Sequence, residues 1–135
     1  MRNVAHYMNP QLVYLQDGQR ADIALRPILD FGITAVPVLD EEHRPIGMIS
    51  LRDLVDAKNN APHLSESIVT ISSGCSVEEA ACRMAEDNLH HLVVVGADGR
   101  ALGMLSSLDV VRALIGMEPK HPRAITAFES PARKT

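Results

Sequence analysis

A seven-residue pattern, Gly-x-x-Ser-x-x-Asp, occurs at residues 47–53 and again at 103–109. Its residue types suit the recognition of a phosphorylated sugar. A glycine inside a strand lets another group approach the backbone closely. A serine where a strand runs into a helix stands beside unpaired amides and the positive end of the helix dipole, which favour an anion. An aspartate three residues on, in the first helical turn, can accept two hydrogen bonds from a vicinal diol. An acidic residue serves ribose in this way in dinucleotide-binding folds. Ser50 with Asp53, and Ser106 with Asp109, could therefore each hold a phosphate and a sugar. The same spacing also describes a helix N-cap, in which serine and aspartate satisfy the first amides with no ligand present. Both readings stay open on the residues alone.

Other chemistry finds less support. His90 and His91 are adjacent, so on a strand they point to opposite faces and make a poor metal pair. They read either as a polar strand entry or as a phosphate contact. The histidines at 6, 43, 63 and 121 show no ligand spacing, and no metal site is expected. No nucleophilic triad, catalytic carboxylate pair or Walker loop can be assembled, so no catalytic residue is expected. Cys82 is expected on an apolar helix face and Cys75 at that helix's start, and the two are too few for a disulfide framework.

The elements that must position these residues come in two copies. Gly47-Met48-Ile49-Ser50 and Gly103-Met104-Leu105-Ser106 lie 56 positions apart, and no gap is needed from residue 12 to residue 113. Val13 and Val69, Val38 and Val94, and Asp53 and Asp109 keep that offset. Each copy opens on a short apolar run, Leu12 to Leu15 or Ile68 to Ile71. A helix follows. In the second copy Val77, Ala80, Ala81, Met84 and Ala85 recur at one-face helical spacing, and Ser76 with Glu79 forms a capping box. Ala21, Ala24, Leu25, Ile28 and Leu29 take the equivalent places in the first, where Pro27 should kink the helix. Two strands come next: Ala35 to Leu39 and Ile46 to Ile49, then Leu92 to Val95 and Leu102 to Leu105. Asp98-Gly99 signals a hairpin in the second copy, and the polar segment Glu41 to Pro45 replaces it in the first. A closing helix carries Leu51, Leu54 and Val55, or Leu108, Val111 and Leu114. Each copy thus reads β-α-β-β-α. The first is placed at 1–58, a linker at 59–66, the second at 67–115, and a flexible tail at 116–135.

Composition narrows the function further. Of the 135 residues, 46% are hydrophobic but only 3% aromatic, so the core is aliphatic and lacks base-stacking platforms. The net charge of -4 and the absence of a basic stripe argue against nucleic acid. No apolar run reaches membrane-spanning length, and Met1-Arg2-Asn3 opens no signal peptide, so a cytoplasmic location is expected.

Residues Ile33-Thr34-Ala35-Val36-Pro37-Val38-Leu39-Asp40 with Gly47 to Asp53 resemble a CBS domain. Leu89-His90-His91-Leu92-Val93-Val94-Val95 with Gly103 to Asp109 resemble a second, and the likeness covers roughly residues 4–115. Two such domains together resemble a Bateman module. The resemblance implies an α/β (α+β) fold of two tandem repeats packed through their sheets with pseudo-twofold symmetry. It also implies clefts for an adenosine ligand: AMP, ADP, ATP or S-adenosylmethionine. One site would join Ser106 and Asp109 with Val13, Ile33, Thr34 and Ala35, and the other Ser50 and Asp53 with Val69, Leu89, His90 and His91. The aspartates would hold ribose hydroxyls and the serines would face phosphate. A homodimer and a regulated partner protein are further implications. Val93 departs from the family's usual proline, which Pro37 keeps, and serine replaces the commoner threonine in both motifs. The two sites are expected to be unequal, because His90 and His91 stand in one where Thr34 and Ala35 stand in the other. The function expected is a regulatory nucleotide sensor rather than an enzyme. A ligand-free dimerisation module is the alternative, and a small enzyme the weaker one.

Overall fold

The computed structural model describes residues 2–19, 26, 29–30, 35–50 and 68–120. Contacts divide the chain into two compact units, one joining residues 1–12 to 69–128 and the other built mainly on 13–68. The first unit contains the second repeat. Its order is β4 (Thr70–Ser72), α2 (Val77–Asp87), β5 (His91–Val95), β6 (Ala101–Ser106) and α3 (Ser107–Leu114). This is the β-α-β-β-α sequence expected. The first repeat shows β1 (Leu15–Gln16), β2 (Ala35–Leu39) and β3 (Pro45–Ser50). Its first helix lies almost wholly outside the described residues, Pro27 included, and so do its closing helix, the linker and the tail beyond residue 120.

Each unit holds one three-stranded sheet, β1-β2-β3 or β4-β5-β6. In each, the first pair is parallel and the second antiparallel. The repeat offset extends to the irregularities. A register shift falls between Val38 and Leu39 and again between Val94 and Val95. The hairpin turns match too: Gly99 has φ +83, and His43 holds the equivalent left-handed position with φ +68. Asp40 stabilises that turn, its Oδ1 accepting from the amides of Glu42 and Arg44 at 2.9 Å each. Burial explains the strand chemistry. Leu92, Val93 and Val94 are fully buried, as an apolar run covered on both faces should be. Each such side chain contributes roughly 1.5–3 kcal/mol.

Helix α2 begins at the expected capping box, with Glu79 N–H donating to Ser76 Oγ at 3.1 Å. Asn88 ends it in the left-handed conformation. Its buried stripe is narrower than the sequence suggests. Val77, Ala80 and Met84 are inside, Ala81 is half-buried, and Ala85 is exposed. Cys82 is also exposed, which corrects its placement on the apolar face, while Cys75 packs against the core. The opening strands start later than their apolar runs, because Leu12 and Tyr14 are buried before β1 begins. Helix α3 buries Asp109, Val110 and Ala113, and its Leu108, Val111 and Leu114 face outward.

A short N-terminal segment completes the first unit. Helix α1 (Val4–Tyr7) inserts Val4 and Tyr7 into the core of the second repeat. Val77 N–H donates to the Arg2 carbonyl at 2.9 Å, and Tyr7 Oη donates to the Met117 carbonyl at 2.8 Å. The Arg2 guanidinium bonds the Ala113 carbonyl and pairs with Glu78 at 2.7 Å, which holds the Glu78 carboxyl below its ordinary pKa. Asn9 pairs with Met104 on the outer side of β6 through two backbone hydrogen bonds of 2.8 and 3.1 Å.

Candidate functional site

In both units the singled-out residues gather at one end of the sheet. In the second repeat, Ser106 ends β6 opposite His91, which starts β5. Val69 is at the same end, its carbonyl accepting Val93 N–H at 3.2 Å. Leu89 is half-buried and His90 exposed beside them. In the first repeat, Ser50 ends β3 opposite Ala35, which starts β2, and Val13 lies just before β1 at that end. Ile33, Thr34 and Asp53 fall outside the described residues. Parallel first strands and an antiparallel third force this convergence: entry to β2 or β5 and exit from β3 or β6 must share an edge.

Ser106 and Asp109 adopt the N-cap geometry. Asp109 N–H donates to Ser106 Oγ at 3.2 Å, and Ser106 N–H donates to Asp109 Oδ2 at 2.9 Å. Arg112 lies 3.5 Å from Asp109 Oδ1. The Asp109 side chain is only 2% exposed. Ser107 N–H donates to the His90 carbonyl at 2.9 Å. The amides of Ser106, Ser107 and Asp109 are thus engaged inside the unit, which corrects the picture of a helix start with free donors. Acceptor capacity remains, since each carboxylate oxygen carries two lone-pair sites.

His91 meets opposing influences. Burial first, then the neighbouring His90, hold its pKa below the ordinary value, and Asp109 pulls the other way. At neutral pH it is a neutral imidazole beside the Asp109 carboxylate. An arriving phosphate would favour the protonated ring.

Gly103 has a definite partner. A Cβ there would stand 2.6 Å from the Asn9 carbonyl oxygen and 2.8 Å from Met8 Sδ. The close approach that this glycine permits is therefore that of the chain's own N-terminal segment. Sequence reasoning missed this partner, and it missed Arg112. The Asp109/Arg112 spacing of three was a readable signal for the latter; the first repeat has Asp56 at the corresponding position.

An open groove of about 410 Å³ lies elsewhere, with Ile71, Cys75, Glu79, Cys82 and Glu86 among its walls. None of the expected ligand residues lines it. Burial and the Glu79 carboxylate push the Cys75 thiol pKa up, so this thiol is poorly reactive. Among the described residues no cluster of three or more His, Cys, Asp or Glu could hold a metal. Among the same residues, no helix is long and apolar enough to cross a membrane.

A family model described as CBS domain matches residues 4–60 and 63–116. Among curated proteins, inosine-5'-monophosphate dehydrogenase of Aquifex aeolicus is 27% identical over 124 residues, covering 87% of this chain and 24% of that one. The chain spans between 11% and 60% of the length of the curated relatives it matches. Among solved structures, CBSX2 in complex with AMP has a TM-score of 0.75 at 25% identity, covering 86% of this chain and 98% of that one. The cytosolic domain of the Mg2+ channel MgtE in complex with ATP has a TM-score of 0.69 at 27% identity, covering 79% and 46%.

Proposed function

This chain belongs to the CBS domain family, and from that premise we propose that it is a regulatory module that senses an adenosine nucleotide. The observation that carries the reading is the AMP-bound CBS pair, which matches this chain over 86% of its length. The MgtE domain, similar over 79% of this chain, was solved with ATP. Either nucleotide combines the diol and phosphate for which Ser50/Asp53 and Ser106/Asp109 are suited. S-adenosylmethionine supplies the diol without the phosphate. The module acts on a partner protein or through its own dimerisation rather than by catalysis.

A ligand that binds only the folded state raises stability by about 2.7 kcal/mol at one hundred times its Kd. A thermal-shift panel of AMP, ADP, ATP, S-adenosylmethionine, NAD and guanine nucleotides tests the proposal. An adenosine compound is expected to raise Tm, and Asp53→Ala or Asp109→Ala to remove part of that rise. A flat response across the panel sinks the sensing role.

One observation favours a second reading, dimerisation with no ligand. The Asp109 carboxylate already caps α3, and Leu108, Val111, Leu114 and Ile115 form an uncovered apolar face on that helix. Under this reading the panel is flat and the chain is a dimer.

A further inference from the structure

The two Ser-x-x-Asp motifs differ in the charge that accompanies their aspartate. In the second repeat Asp109 Oδ2 accepts the Ser106 amide at 2.9 Å, and Arg112 Nη1 lies 3.5 Å from Oδ1. The Asp109 side chain is 2% exposed and that of Arg112 24%. Residues three apart on a helix share a face, so the spacing itself brings the two together. A buried carboxylate is costly without a counter-charge, and Arg112 supplies one. His91, held below its ordinary pKa, is neutral at neutral pH and adds no charge beside them.

The offset of 56 puts Asp56 in the first repeat where Arg112 stands in the second. The sign of the charge at that position is reversed. Asp53 with Asp56 sums to two negative charges, and Asp109 with Arg112 to none. The first repeat also carries Arg52 and Lys58, but the second-repeat residues at those positions, Leu108 and Leu114, face outward. Position 112 instead turns inward to the motif aspartate. Such a difference sorts ligands. A phosphate monoester carries a charge of about −1.5 to −2 at neutral pH, and a second carboxylate beside the ribose opposes it. A sulfonium cation on the same adenosine scaffold is attracted by that carboxylate. Specificity is set as much by a repulsive element as by an attractive one.

We propose that position 112 and its counterpart 56 determine which class of adenosine ligand each motif accepts. Arg112 makes the Asp109 motif the one for a phosphorylated adenosine, and Asp56 makes the Asp53 motif the one for an adenosine sulfonium. Arg112 acts by neutralising Asp109 and needs no contact with the phosphate. The inference rests on the nucleotide-sensing reading above and adds to it the ligand class at each motif.

Titration calorimetry on the full chain compares AMP, adenosine and S-adenosylmethionine. Asp53→Ala reports the Asp109 motif, and Asp109→Ala reports the Asp53 motif. The first chain should prefer AMP to S-adenosylmethionine and the second the reverse, each by roughly tenfold at low salt. Both preferences should shrink at high salt. In the Asp53→Ala chain, Arg112→Gln should weaken AMP by about tenfold and leave adenosine unchanged. A residue that merely supports the helix would weaken both alike, and that result overturns the proposal. If Arg112→Gln does not fold, Asp56→Arg in the Asp109→Ala chain decides. It should turn the preference from S-adenosylmethionine to AMP; an unchanged ratio overturns the proposal. The same preference at both motifs overturns it while nucleotide sensing stands. If the wild type binds none of the three, both are overturned.

Discussion

Ser76 with Glu79 and Ser106 with Asp109 are capping boxes of the same geometry in one unit. Only the second lies where a ligand is proposed, so the pair separates capping from binding. Ser76→Ala and Ser106→Ala should each lower stability by about 1 kcal/mol, measured by urea unfolding. Only Ser106→Ala should also reduce the nucleotide-induced rise in Tm; an equal effect of both would leave capping as the whole role of Ser106. His91 yields a pH prediction. Its folded pKa lies below the ordinary value of 6.5, so between the two the unfolded chain binds more protons and stability rises with pH. The contribution is complete above about 6.5 and is lost as pH falls through the lowered folded value. Melting curves from pH 7 to 5 should show Tm falling more steeply in the wild type than in His91→Asn. The Ser-x-x-Asp cap was legible in the sequence because it is local. The engaged Ser107 amide was not, since its acceptor, the His90 carbonyl, lies just before β5, seventeen positions earlier in the chain.

At the scale of elements, Gly103 ties β6 to the N-terminal segment. Gly103→Ala forces a methyl against the Asn9 carbonyl oxygen, a backbone atom that cannot rotate aside. The expected destabilisation is about 1–3 kcal/mol in denaturant unfolding. An unchanged midpoint would show that the segment yields without loss. The strands were readable from their apolar runs and the second hairpin from Asp98-Gly99, and the 56-residue offset carried the pattern from one copy to the other. The orientation of α3 was not. Leu108, Val111 and Leu114 have the spacing of a buried face, yet they are 60%, 47% and 45% exposed. Helical periodicity finds an apolar stripe but not its cover. Here the inner face is made by Val110, Ala113 and the buried Asp109, whose carboxylate comes inside because it caps its own helix.

For the whole molecule, that outward stripe bears on assembly. Four large apolar side chains, Leu108, Val111, Leu114 and Ile115, lie close together on one face of α3 or at its end. A patch of this kind suits a second copy better than water. Leu108→Glu with Val111→Glu should leave the fold intact by circular dichroism. It should also convert a dimer to a monomer in sedimentation velocity. A wild-type chain that sediments as a monomer at high concentration would remove this face from the dimer proposal. Family and fold were legible from the duplicated motif. The membership of residues 2–12 in the second repeat's unit was not, because no local pattern records a partner about a hundred positions away.

That membership shapes how the molecule forms. Arg2 bonds the Ala113 carbonyl across 111 positions, and Tyr7 bonds the Met117 carbonyl across 110. Arg2 and Tyr7 are thus synthesised well before their partners and must wait for them. Val4 and Tyr7 remain without their native cover while the first repeat is being made. Contacts of such separation slow folding, because the loop between the partners closes before the contact repays it. Completion of the second repeat therefore depends on both ends of the described chain, so this unit cannot finish folding on the ribosome until nearly all of residues 2–120 have emerged.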